Sequence, residues 1–363
     1  MTVPKLLVVL ACLTSTVTSS FTAVQLRDAA PFPYRDEEDL PPIAQLIADA
    51  LNGTTRLDIP HRCQHPRGRA IDFVVSHYKE NLQALAHALI QMLNTTHLRH
   101  SSQFQLPCLW LITKGGILKK DEVLSALKDG GVTGRTLRLA FVSLPNRGRE
   151  PHSMLFYLAY NRRLRSFPSG HALFMQADIG GSYHDKAEYR LQLFTRQTGV
   201  LSLSLINTPD MFDLKNFESH PGIFPLFTNS SCPHGGYRWA ASMNSNLVVS
   251  THRMMQHSPE VYEAAFYRTG KGVLSPDNDL VRAKAGGSHY VGHELLVTKP
   301  ILAHAFERAW NLIFNCTDTS LESSCKCERV QPICTPNSCQ CLDAIGHTTV
   351  SLALDNIPQW PRI

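Results

Sequence analysis

The amino-acid sequence predicts an α/β protein with a mostly parallel sheet flanked by helices and a Cys-rich C-terminal tail. Short runs of branched and aromatic residues alternate with longer helical stretches, a pattern typical of strands buried in a parallel sheet. The chain has 363 residues, of which 43% are hydrophobic, so it can bury a full core. Six of its ten cysteines fall between Cys316 and Cys341, which sets the tail apart.

Four buried strands are predicted in the first half of the chain, and a helix follows each of the first three. We expect the strands at Ile71–Ser76, Leu109–Thr113, Leu139–Leu144 and Ala172–Gln176, and the helices at Leu82–Leu93, Lys120–Lys128 and Met154–Tyr160. The later elements are strand-like or amphipathic stretches at Tyr189–Phe194 and Val200–Ile206, a strand at Leu247–Val249, and helices at His257–Tyr267 and Ile301–Phe314. This alternation predicts a doubly wound, Rossmann-like sheet.

Polar residues follow three of these strands directly. Lys79 and Glu80 lie in the turn after the first strand, and Asp178 follows the fourth. After Leu144, the turn residues Asn146 and Gly148 end the apolar run. The polar residues Arg149, Glu150 and His152 then begin a helix. Because ligands collect at the carboxyl ends of strands in open α/β sheets, we expect this turn and Asp178 on the same rim.

The N-terminal residues have the layout of a secretory signal. Lys5 precedes an apolar run, Leu6–Leu13, and then small residues as far as Ser20. The run is short for a membrane span, so residues 1–20 are predicted to be cleaved; the alternative is an uncleaved anchor, the one case in which a membrane is a partner. Residues 21–62 form a Pro-rich, acidic segment, 63–315 the α/β domain and 316–363 the tail.

Two further features are typical of a secreted or lumenal protein. Asn-X-Ser/Thr sequons begin at Asn52, Asn94, Asn229 and Asn315, which predicts a glycoprotein. In an oxidising compartment the tail cysteines predict a disulfide-bonded segment. A zinc site is the alternative, although the spacing lacks paired C-x2-C knuckles.

The charge balance argues against a nucleic-acid partner. The net charge is +5 and the pI is about 8.7, which is mildly basic. The sequence has no dense Lys/Arg block interleaved with aromatic residues, which nucleic-acid binding favours.

Four segments resemble one family. They are DFVVSHYKENLQAL (Asp72–Leu85), LPNRGREPHSMLFYL (Leu144–Leu158), FMQAD (Phe174–Asp178) and FERAWNLIF (Phe306–Phe314). In order and spacing they resemble the domain of unknown function 3431, which is similar to nucleotide-sugar glycosyltransferases of the GT-A fold. The resemblance implies a GT-A-like domain that moves a sugar from a nucleotide-sugar donor to a glycan, protein or small-molecule acceptor. The chain departs from the family pattern at Asn81, where an acid is common, and at Leu85, Ile179 and Asn311.

The resemblance implies a set of site residues. A sugar diphosphate needs a divalent cation or basic groups as its leaving phosphate departs. Asp178 is the expected ligand for Mn²⁺ or Mg²⁺, and the further ligand that it requires is expected among His184, Asp185, His289 and His293. Lys79 and Arg149 would balance the diphosphate charge, and Glu80, Asn146 and Gln176 would complete the donor site. Glu307 would be the catalytic base, so that Asp178 and Glu307 are the two expected catalytic residues.

Each assignment has a structural alternative. Asp178 is also a common kind of strand-end turn residue, Lys79 and Arg149 are equally explained as solvated cations, and Trp310 is interpreted as core. Glu150 is assigned to the first turn of its helix, where a carboxylate is favourable.

Two other functions compete with glycosyl transfer. Pro168–Ser169–Gly170–His171 matches the PSGH of acid phosphatases similar to type 2 phosphatidate phosphatase, but the partner motifs are missing, so we expect a loop between helix and strand. A non-catalytic secreted glycoprotein with a GT-A-like fold is the main alternative.

Overall fold

An eight-stranded mixed sheet forms the centre of the protein. The computed structural model describes residues 56–64, 69–95, 106–115, 118–134, 136–146, 148–164, 167–178, 187, 189–204, 206–207, 227, 239–242, 245–271, 301–325, 334–335 and 337–344. The strands are β1 (Arg56–Asp58), β2 (Arg69–His77), β3 (Cys108–Lys114), β4 (Arg138–Leu144), β5 (Ser169–Gln176), β6 (Thr198–Ser202), β7 (Ile206–Asn207), β8 (Ala241–Ser242), β9 (Leu247–Ser250) and β10 (Gln340–Leu342). The helices are α1 (His61–Gln64), α2 (Leu82–Thr95), α3 (Lys120–Asp129), α4 (Arg149–Arg163), α5 (Thr251–Met254), α6 (Pro259–Lys271), α7 (Ile301–Ile313) and α8 (Leu321–Ser324).

The four predicted strands of the first half are confirmed as β2, β3, β4 and β5, and they run parallel to one another. Every residue of β2 and of β3 is buried, because helices cover both faces of the central sheet. Asn81 accepts hydrogen bonds from the backbone amides of Gln83 and Ala84 at 2.9 and 3.1 Å and so starts α2. Asn81, where the resembled family commonly has an acid, therefore has a structural role at the start of α2.

The sheet is mixed overall, and the expectation of a mostly parallel sheet holds only for its centre. The strand order is β1-β4-β3-β2-β5-β9-β6-β10. β1 pairs antiparallel with β4 at one edge, and β9, β6 and β10 pair antiparallel beyond β5. The stretch Tyr189–Phe194, predicted as strand-like or amphipathic, forms a helical turn instead of a strand.

The Cys-rich tail contributes the last strand of the sheet. β10 pairs with β6, and disulfides join Cys316 to Cys341 and Cys325 to Cys339. A third disulfide joins Cys63 to Cys108, and Cys334 is also disulfide-bonded. The prediction of disulfides is confirmed for these cysteines, which excludes them as zinc ligands and fits an oxidising compartment.

A buried ion pair fixes the tail to the rest of the protein. The Arg253 guanidinium lies 2.7 Å from a carboxylate oxygen of Asp343, whose other oxygen accepts a 2.6 Å hydrogen bond from Ser250. Arg253 also donates to the carbonyls of Phe314 and Leu342, so one side chain joins α5, the end of α7 and the end of β10.

The helices within the described ranges give no candidate for a membrane span. Each of them is too short or too polar to cross a bilayer.

Candidate functional site

The strand order creates a topological switch point between β2 and β5. The chain steps from β2 to β3 and then to β4 in one direction, and returns past both to place β5 on the other side of β2. The connections that leave β2 and β5 therefore diverge, which opens a crevice at their carboxyl ends. We call the carboxyl ends of β2, β3, β4 and β5 the carboxyl edge.

Gly148 shapes the bend between β4 and α4. Its φ of +64° lies in the left-handed region, and a Cβ there would sit 2.6 Å from the Thr269 carbonyl oxygen and 2.7 Å from the His152 Cβ. Only glycine combines that conformation with that close approach. The next residue, Arg149, also has a positive φ, of +48°.

Arg149 and Glu150 open α4 as an ion pair. The Arg149 Nε lies 3.3 Å from a Glu150 carboxylate oxygen, and both side chains are partly exposed. Glu150 stands in the first helical turn, as its predicted structural role requires. Asn146 lies in the same bend and is partly exposed.

Beneath the bend lies Lys114, which the sequence analysis did not single out. It is the last residue of β3, its side chain is buried, and its ammonium group donates a hydrogen bond to the Arg149 carbonyl. Its Nζ is 3.4 Å from Nδ1 of His152, whose ring stacks on Phe266. Burial lowers the pKa of Lys114 to about 7, although the negative charge of Glu150 opposes this.

We expect the stability difference between the wild type and Lys114→Met to depend on pH. Burial lowers the pKa of Lys114 from 10.5 to about 7, so between these values the unfolded chain binds a proton that the folded protein lacks. The free energy of unfolding of the wild type should therefore rise with pH relative to the variant, by up to about 1.4 kcal/mol per pH unit above pH 7. Urea unfolding from about pH 6 to about pH 9 checks this, with exposed Lys128→Met as control; parallel curves for wild type and Lys114→Met would contradict it.

The bend and the end of β5 are connected through β2. The hydroxyls of Ser76, near the end of β2, and Ser153, in α4, lie 2.9 Å apart. Ser76 pairs with Gln176 in the sheet, and its carbonyl accepts a 2.9 Å hydrogen bond from the Ala177 amide. The first turns of α4 therefore lie over the end of β2, on the same edge as the QAD segment.

The two predicted residues of the QAD segment are both accessible. Gln176 ends β5, is partly exposed, and its backbone amide donates a 3.1 Å hydrogen bond to the Asn246 side chain. Asp178 is exposed, two residues beyond the strand.

Glu80 organises the turn after β2. Its carboxylate accepts hydrogen bonds from the backbone amides of Tyr78 and Lys79, at 2.5 and 3.1 Å. Lys79 is exposed, and its ammonium group lies 4.9 Å from the centre of the Tyr78 ring, a cation–π contact. Of the two, Lys79 is the better placed to meet a charged ligand.

Glu307 lies on α7, and its side chain is buried. One turn later the Trp310 side chain is fully buried, which confirms its assignment to the core, and its indole donates a 3.1 Å hydrogen bond to the Ser245 hydroxyl. Ser245 precedes β9, whose first residue, Leu247, pairs with Phe174 near the end of β5. Asn311, the departure from the family pattern, accepts a 2.7 Å hydrogen bond from the Ser242 hydroxyl.

The described residues alone do not make a metal site. Within those ranges no three His, Cys, Asp or Glu side chains form a group that could hold an ion. Asp178 and Gln176 supply one carboxylate and one amide, whereas Mg²⁺ takes about six oxygen ligands, some of them water. The predicted further ligands His184, Asp185, His289 and His293 lie outside the described residues.

The PSGH motif lies at the opposite end of the sheet. Its expected loop conformation is wrong, because Ser169–His171 form the start of β5, at the amino end of the strand. The buried His171 ring has its nitrogens 3.3 and 2.8 Å from the carbonyl oxygens of Ala70 and Thr198, and burial lowers the pKa of His171. The histidine therefore contacts backbone, about 16 Å along the strand from Gln176.

No protein-family model, curated protein or solved structure matches this chain. What the carboxyl edge can bind thus follows from its own accessible groups: the Arg149 guanidinium, the Lys79 amine, the amides that open α4, and the Asp178 carboxylate. The buried Lys114 amine lies under the Arg149 backbone.

Proposed function

We propose that the protein binds a nucleotide sugar at the carboxyl edge and transfers the sugar to an acceptor in the secretory pathway or outside the cell. The observation that carries the proposal is the bend at Gly148–Glu150, where an arginine, the start of α4 and the buried Lys114 lie beside a switch point. Cations and helix N-termini both favour a diphosphate. The predicted signal and the disulfides support the compartment.

The strand order supports a GT-A-like interpretation of the domain. Counted from β2, the four parallel strands have the order 3-2-1-4 that nucleotide-binding doubly wound sheets share. The resemblance in the NRGRE and QAD segments lies at the carboxyl ends of β4 and β5, on the edge where such sheets bind nucleotides.

The chemistry assigns a role to each group. As the bond from the sugar to the diphosphate breaks, negative charge grows on the leaving oxygen, and Arg149 with Lys79 would stabilise it. Glu307 would accept the proton of the attacking acceptor hydroxyl. Asp178 would bind a divalent cation only together with ligands outside the described residues, so no step here depends on a metal.

We expect Arg149→Met to weaken the binding of UDP or GDP, measured by titration calorimetry, by at least about tenfold, because a charge-assisted hydrogen bond contributes roughly 1.5–3 kcal/mol. Arg163→Met is the matched control, since Arg163 lies at the other end of α4 and pairs with Glu263. Equal affinity of the Arg149 variant and the wild type would contradict the proposed site.

A thermal-shift screen of UDP- and GDP-sugars with Mn²⁺, on the wild type and on Asp178→Ala, tests donor and metal together. A stabilised wild type and an unresponsive variant support the transferase. A response that is the same without Mn²⁺ and in the variant removes the metal from the proposal. No response to any donor favours the non-catalytic secreted glycoprotein.

A further inference from the structure

An apolar groove lies at the amino ends of β3 and β4, at the opposite end of the sheet from the carboxyl edge. It has a volume of about 490 Å³, and its described lining comes from the two strands, from α3 and its following turn, and from Pro60. Leu109 and Leu139 line its sheet side, and Leu124 and Leu127 line its helix side. Leu124 is 41% exposed, so its side chain is accessible to an occupant of the groove.

Of the described residues that line the groove, two are charged, and both are cations. They are Lys128, which is exposed at the end of α3, and Arg138, the first residue of β4. No carboxylate belongs to the part of the lining that the structure describes. The nearby cations Arg62 and Arg69 also act on Arg138, and Asp72 lies 3.0 Å from Arg69.

The Lys128 and Arg138 cations beside the apolar walls favour an occupant that carries an anionic group. The apolar walls require the remainder of the occupant to be apolar. The volume lies in the range of roughly 300–1,000 Å³ for small-molecule sites.

We propose that this groove binds an aliphatic carboxylate, with its chain along Leu124 and Leu127 and its carboxylate against Arg138. The groove is separate from the proposed nucleotide site, so a failed test of one site does not contradict the proposal for the other.

Titration calorimetry of the full chain with decanoate, decanol and decyltrimethylammonium tests the proposal. We expect one decanoate to bind per chain, at least about tenfold more tightly than decanol, and no binding of the cation. Arg138→Gln should remove the preference for decanoate over decanol, and Arg138→Lys should retain part of it. Equal affinity for decanoate and decanol in the wild type would overturn the proposal.

Leu124→Glu should abolish decanoate binding, because it places a carboxylate against the chain. Leu164→Glu is the matched control, since Leu164 is 46% exposed and lies outside the groove. Because both leucines are exposed, both variants should fold as the wild type by circular dichroism. Loss of binding in both variants, or a self-association that only Leu124→Glu removes, would overturn the proposal, the second in favour of a second copy of the chain.

Discussion

Asp343→Ala should lower the free energy of unfolding by about 3–5 kcal/mol, because it leaves the buried Arg253 guanidinium without its carboxylate. The Asp343 carboxylate also accepts a hydrogen bond from the Ser250 hydroxyl. The Ser250 oxygen in turn accepts a hydrogen bond from the Arg253 backbone amide in α5. The substitution therefore weakens the contacts among α5, β10 and the end of α7 together. Urea unfolding at neutral pH measures the change.

Asp129→Ala is the control for this experiment, since Asp129 is exposed at the end of α3. We expect it to change the free energy of unfolding by less than about 0.5 kcal/mol. Asp343→Asn should fall between the two, because the amide keeps the shape of the carboxylate but not its charge. A loss at Asp343→Ala no larger than the control's would show that the ion pair contributes nothing net.

Gly148→Ala should lower the free energy of unfolding by about 3 kcal/mol or more and weaken nucleotide binding as well. The added Cβ would lie 2.6 Å from the Thr269 carbonyl oxygen on α6, and backbone cannot move aside as a flexible side chain can. Relief requires α4 and α6 to separate or the bend to change shape. Either change moves Arg149.

Gly131→Ala separates steric overlap from backbone strain. Gly131 also has a positive φ, of +92°, but its Cβ would meet nothing within 4 Å. We expect a loss of about 1–2 kcal/mol from strain alone and unchanged nucleotide binding. Equal losses at Gly131 and Gly148 would mean that the close approach to Thr269 is of no consequence.

The central strands could be predicted from sequence because burial on both faces leaves continuous apolar runs. β2, β3 and β4 extend by only one or two residues beyond the predicted bounds. The rim at the ends of β4 and β5 followed from the same runs, since the turn residues Asn146 and Asp178 come directly after them. The apolar runs that come from burial on both faces are therefore enough to locate the central sheet and its carboxyl edge.

The edge strands and Lys114 could not be predicted in this way. β1 and β10 are three residues each, too short for a period-2 pattern, and β10 lies among cysteines whose spacing indicates only disulfides. Lys114 precedes two glycines, Gly115 and Gly116, a pattern that is typical of a turn and does not point to a buried cation. A search for charged residues at the last position of buried strands would have found it.

The position of β10 has a consequence for synthesis of the chain. Gln340 accepts a hydrogen bond from Thr198 across a separation of 142 residues, so β6 acquires its outer neighbour only after the intervening residues have left the ribosome. At translation rates of roughly 5–20 residues per second, on the order of 10 s pass between the synthesis of β6 and that of β10, and until β10 emerges at least one edge of β6 lacks its partner strand. During that interval the nascent protein is most open to chaperones and to misassociation.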